Sequence, residues 1–107
     1  EFAVDSMKFI ATIPYKKEYD VFRYQYSKSA TSIGANYEEA QSSSLKEFVQ
    51  RLRISLREAN ESRYWLKIME RLKLGNDKQR KNLLSEVNEI SLMLGAGVSR
   101  MHRKLNN

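Results

Sequence analysis

The sequence predicts an all-α protein built as one domain over residues 1–107. Three observations carry that prediction. The length suits one modest core and not two. One proline and four glycines, with 41% hydrophobic and 30% charged residues, form a helix-rich balance unlike that of disordered tails or strand-and-turn sandwiches. Apolar residues recur at steps of three and four through most of the chain, the period of a helix with one buried face.

Four helical segments follow in order. In the first, Phe2, Ala3, Met7, Phe9, Ile10 and Ile13 are spaced for a helix that ends at Pro14, which removes a backbone donor, and the segment is expected to begin before Glu1. The second runs from about Tyr19 to Ser43 with Phe22, Tyr26, Ser29, Ile33, Asn36 or Tyr37, and Ala40 along one stripe. Ser42-Ser43-Ser44 breaks the pattern, and Ser44 with Glu47 matches a capping box. The third helix, Leu45 to about Leu74, buries Leu45, Phe48, Val49, Leu52, Leu56, Ala59, Leu66 and Met69, widened by Trp65, Ile68 and Leu72. At 1.5 Å per residue it is about 45 Å long, suited to a bundle of long rods. Gly75 is expected to supply a left-handed cap and Asn76 or Asp77 the next N-cap, so the third and fourth helices should be antiparallel neighbours. The fourth carries Leu83, Val87, Ile90, Leu94, Val98, Met101 and Leu105, interrupted by Gly95 and Gly97, where a neighbour packs closely or the helix frays or bends.

The stretch SATSIGANYEEAQ, residues 29–41, places small and polar groups where a helix usually buries large apolar ones. Ala30 and Gly34, and likewise Ser27 and Thr31, lie one turn apart, so a neighbouring helix is expected to approach the backbone closely. Ser29, Ser32 and Asn36 then require hydrogen-bond partners around Ile33, and Glu39 and Glu61 are candidates to pair with Arg23, Arg53 or Arg57.

The chemistry of most enzymes is missing. With no cysteine there is no disulfide, thiolate metal site or thiol nucleophile, a composition that fits a reducing, cytoplasmic setting. No paired-histidine zinc motif, glycine-rich phosphate loop or nucleophile elbow occurs, and Glu38 and Glu39 diverge by about 100° on a helix. The one histidine, His102, stands among Arg100, Arg103 and Lys104 and reads as a solvated or phosphate-facing residue rather than a general base. The chain is therefore read as a non-enzyme with no cofactor and no metal. No apolar run long enough to span a membrane and no signal-peptide pattern is present.

What the chain does carry is charge. The net +6 is unevenly placed: residues 1–44 hold five Lys or Arg against six Asp or Glu, and residues 45–107 hold fourteen against seven. That asymmetry suggests an anionic partner, RNA or DNA, met by Arg51, Arg53, Arg57, Arg63, Lys67, Arg71, Lys73, Lys78, Arg80, Lys81, Arg100, Arg103 and Lys104. A protein-interaction scaffold whose charge only solubilises it is the competing reading. A membrane surface is disfavoured because the basic residues look scattered round the helices. The third helix offers apolar residues over a wider arc than one core needs, including Ile54, Tyr64, Trp65 and Ile68, and the second adds Val21, Tyr24 and Tyr37. Homo-oligomerisation through Tyr24, Tyr37, Tyr64, Trp65 and Ile68 is expected, against the alternative that Trp65 plugs the end of the monomer core.

Ser32-Ile33-Gly34-Ala35-Asn36, Glu39-Ala40, Lys46-Glu47-Phe48, Leu52, Ile54, Leu56, Glu61 and Leu66 together resemble the four-helix-bundle family of 23S rRNA intervening-sequence proteins. That family includes the accessory variability determinants of diversity-generating retroelements. The resemblance runs from about Tyr19 onward, and Ala40, where glycine is common, and Trp65, where a polar residue is usual, mark a divergent branch. It implies an antiparallel up-and-down four-helix bundle assembled into a ring, a pentamer, with a basic surface. For the retroelement branch it implies nucleic acid and a reverse transcriptase as partners.

Overall fold

Helix formation follows the breaks in the sequence. In the computed structural model, which describes residues 1–106, α1 spans Phe2–Ile10, α2 Asp20–Ala40, α3 Leu45–Leu72 and α4 Asp77–Asn106, with a 3-10 turn at Lys17–Tyr19 leading into α2. Consecutive helices are antiparallel neighbours: α2 lies between α1 and α3, and α4 between α3 and α1, so α1/α3 and α2/α4 occupy opposite corners of a square bundle measuring 51 × 21 × 20 Å.

The ends show what stops each rod. α1 closes at Ile10, short of the expected Ile13, because Thr12 and Ile13 donate to carbonyls three residues back and the Thr12 hydroxyl bonds Phe9 O at 2.6 Å, tightening the last turn before Pro14. α3 begins as its capping residues require: Glu47 N–H donates to Ser44 Oγ, and the Ser44 hydroxyl reaches Glu47 Oε1 at 3.2 Å. It ends at Leu72 rather than Leu74, and the left-handed cap is Lys73, with φ 56°, rather than Gly75. Lys73 N–H bonds Glu70 O and Leu74 N–H bonds Met69 O, a Schellman closure that buries Leu74 against the core. Asn76 Oδ1 accepts from Gln79 N–H at 2.9 Å and starts α4.

Gly75 has a different duty. At φ 74° it turns the chain into α4, and a methyl group there would stand 2.6 Å from the Phe9 ring and 3.0 Å from Thr12 Oγ1. Thr12 Oγ1 also accepts Asn76 N–H at 2.8 Å, so the α3–α4 turn is latched onto the end of α1. Gly75→Ala is expected to lower stability by about 2 kcal/mol through backbone strain and collision with Phe9, read as a fall in the denaturant midpoint at unchanged slope.

The polar seam of α2 packs on α3. Ser29 is fully buried, donating to Tyr26 O at 3.2 Å and accepting from the Ser62 hydroxyl at 2.8 Å, while Ser55 donates to Ile33 O at 2.7 Å. Ala30 and Ile33 are buried beside them. Ser32 bonds Lys28 O in its own helix; Asn36 bonds Ser32 O and accepts from Arg51. Gly34 departs from the expectation: it is exposed, with nothing within 4 Å of where a Cβ would sit, because the close approach runs through Ser29, Ala30 and Ile33 one face away. Ser27 and Thr31 likewise turn their hydroxyls to their own helix backbone. α4 continues unbroken through Gly95 and Gly97, with only Leu52 near Gly97, at 3.8 Å.

α1 packs between α2 and α4 with its C-terminal end at the α3–α4 turn. Beyond Phe2 the groove between α2 and α4 is lined by Ile33, Tyr37, Met93, Leu94, Gly97 and Met101.

Candidate functional site

The outward corner of the bundle, diagonal to α1, is a ridge on α3. Lys46, Gln50, Arg53, Arg57, Asn60, Tyr64, Lys67 and Arg71 follow one another at alternating steps of four and three, the spacing that keeps residues on one side of a helix, and all are exposed. The opposite side, Ser55, Ala59, Ser62, Leu66 and Met69, is buried, which fixes the ridge toward solvent. From Lys46 to Arg71 it runs about 37 Å. Glu47, Glu58, Glu61 and Glu70 all lie at least about 60° round the helix from its centre line, so the ridge bears cations, two amides and a phenol with no carboxylate. Five of the seven cations of α3 share this face, a closer grouping than the scatter round the helices expected for the basic residues as a whole. The apolar face of α3 is itself sealed in the core, so this is not a helix with an apolar side free to enter lipid.

The structure sorts the candidate residues. Arg53, Arg57, Lys67 and Arg71 stand on the ridge, and Lys46, not singled out by charge alone, joins them. Arg51 is turned toward α2, bound to Glu39 at 2.8 Å and Asn36 at 3.3 Å, so the Glu39 partner is Arg51 and none of the arginines expected. Arg23 pairs with Asp20 at 2.9 Å, and Glu61 makes no ion pair among the described residues. Arg63 leans from α3 to α4 through Asn60 at 2.8 Å and Asn88 at 3.4 Å. Lys73, Lys78 and Lys81 are exposed around the α3–α4 turn, with Lys81 on Asp77 at 2.9 Å. Arg100, Arg103 and Lys104 are exposed on the last turns of α4, Arg100 at the mouth of the apolar groove.

Arg80 is a correction. It is 1% exposed, its Nε bonded to Glu70 at 2.6 Å, its other nitrogens to Asp77 and the carbonyls of Leu74 and Gly75. With four of its five N–H donors taken by the turn it closes and its side chain sealed from solvent, this guanidinium is out of reach of a phosphate. The hydrogen bond from Arg80 holds the Glu70 carboxyl below its ordinary range, and that from Lys81 does the same for Asp77. Glu58 is pushed up by partial burial and by Glu61 beside it.

Of the interface candidates, Tyr24, Tyr37 and Tyr64 are exposed, whereas Trp65 and Ile68 are half-buried. The Trp65 ring stands edge-on to Phe22 at 6.0 Å and to Tyr64 at 5.2 Å, the position of a residue closing the α2–α3 side of the core. Sequence reasoning passed over Leu92 and Met93, 75% and 69% exposed, whose signal was their place outside the apolar stripe of α4.

The model of the 23S rRNA-intervening sequence protein family matches residues 1–96. A crystal structure of a protein of unknown function from the S23 ribosomal protein family of Bacteroides thetaiotaomicron VPI-5482 is 33% identical, covers 91% of this chain and 91% of its own, and superposes with a TM-score of 0.80. None of the curated proteins matches. A match over nearly the whole chain, with the same helical fold in a relative at that identity, makes this chain a member of the 23S rRNA-intervening sequence protein family.

Proposed function

We propose that the protein is a non-enzymatic oligomer that binds RNA or DNA through the outer face of α3. The observation that carries this reading is the carboxylate-free ridge: Lys46, Arg53, Arg57, Lys67 and Arg71 repeat along about 37 Å, so several consecutive phosphates meet cations without an opposing charge. Such a surface contacts phosphates and reads no base edges, which makes binding insensitive to sequence.

Assembly supplies the affinity that one ridge lacks, because copies held together turn weak contacts into avidity. The exposed Tyr24, Tyr37, Leu92 and Met93 support an oligomer, and the ring of five implied by the resemblance is the form proposed. Light scattering is expected to report a multiple of 12.6 kDa at tens of micromolar.

Fluorescence anisotropy on labelled single-stranded RNA and duplex DNA tests the binding reading. Five ridge cations predict an affinity that falls roughly a hundredfold or more between about 50 and 200 mM salt. Absence of binding to either at the lower salt would leave the protein-interaction scaffold, which the exposed Leu92 and Met93 equally suit, as the better account.

A further inference from the structure

The ridge ends in a cleft. Where the first turns of α3 meet the last turns of α4, Lys46, Gln50, Arg53, His102 and Asn106 surround a space of about 450 Å³ above Val49. Arg53 has only donors to offer, and its Nη2 lies 2.6 Å from His102 Nδ1, so Nδ1 accepts and the ring proton of the neutral imidazole sits on Nε2; the Asn106 amide, 3.0 Å away, accepts that proton with its oxygen turned to the ring in place of its nitrogen. Lys46 stands across the same space. Among the described residues the charged side chains on the cleft wall are Lys46 and Arg53 from α3 and the titratable His102 from α4, with no carboxylate and nothing from α1 or α2.

Such a wall is one acceptor short. If His102 takes a second proton, Nδ1–H and the Arg53 guanidinium are two donors facing each other; the side chains then part, and an anion that accepts from both closes the gap. A phosphate oxygen is that acceptor, with Lys46 and Gln50 placed to donate to its other oxygens. The geometry points to a seat for one phosphate group between Lys46, Arg53 and His102, whose occupancy is coupled to proton uptake on Nδ1 of His102. This rests on the nucleic-acid reading of the ridge, of which the cleft is the anchored end. The two ligands help one another by linkage: a proton on His102 tightens the phosphate, and the phosphate favours the proton by the same factor.

A phosphodiester keeps its single charge across the neutral range, and His102 is the chain's only histidine. Affinity for a labelled oligonucleotide at fixed salt should therefore rise roughly threefold to tenfold from about pH 8 to about pH 5.5, and His102→Gln, which cannot gain the proton, should lose that rise. Equal affinity at both pH values, or a rise that survives in His102→Gln, overturns the seat while leaving the ridge reading intact. Failure to bind any oligonucleotide overturns the ridge reading, and a second arm then decides the cleft. In that arm inorganic phosphate is titrated while the His102 ring proton resonances are followed by NMR. A saturable shift lost in Lys46→Ala shows that free phosphate is the group seated; no shift overturns the seat as well.

Discussion

Arg80→Leu is expected to destabilise the protein by about 2–4 kcal/mol, because it takes the donor from four acceptors at once. The carbonyls of Leu74 and Gly75, which Arg80 caps from inside the α3–α4 turn, lose their donor, and leucine cannot fill the volume to the same depth. Chemical denaturation reads the loss; a change within about 0.5 kcal/mol would show that the turn holds without it. Nucleic-acid affinity of the folded variant should equal that of the wild type, since no donor of Arg80 reaches the surface. Acid acts on the same cluster. Glu70 and Asp77 titrate in the folded protein below their unfolded range, so their contribution is complete above that range and is lost as pH falls through the folded values. The melting temperature should therefore drop below about pH 4, and Glu70→Gln should flatten part of that drop.

The opposite pattern is expected on the ridge. Reversing three charges together, Arg53→Glu, Arg57→Glu and Lys67→Glu, should weaken nucleic-acid binding by more than about a hundredfold and reduce the salt slope by about three. Stability should stay within about 0.5 kcal/mol per site, because these side chains are exposed and the one contact they make between helices, Arg53 with His102, lies at the surface. The comparison variant reverses Arg100, Arg103 and Lys104 on α4. If that variant loses as much affinity as the ridge variant, binding follows net charge and not the α3 face.

Much of the fold was legible in local pattern. Ser44 and Glu47 announced the start of α3, Pro14 the end of the first helical segment, and the alternating steps of α4 its full length, since capping and amphipathic spacing act over a few residues. The cap after α3 was misplaced by two residues because glycine is the usual left-handed residue. Here Lys73 takes that conformation, held by two Schellman hydrogen bonds, while Gly75 is reserved for contact with Phe9, 66 residues earlier in the chain. Ser55 and Ser62, which the sequence reading passed over, are the α3 counterpart of the α2 seam. Their pairing with Ser29 and Ile33 still depended on which helix lay opposite.

The candidate site divides the same way. Charge could be counted in the sequence, and the second half of the chain held the excess, but a count treats every arginine as equal. Arg80 and Arg57 look alike in a list; one is sealed against Glu70, Asp77 and two carbonyls, and the other stands in water. Helical class, the main breaks between rods and the basic character of the second half were determined by the sequence alone, because periodicity, capping and composition are local or additive. Which cations share one face, which is spent inside a turn, and how Arg53 meets His102 across 49 residues were decided only when α3 and α4 packed, because burial and ion pairing depend on the distance between side chains and not on their order along the chain.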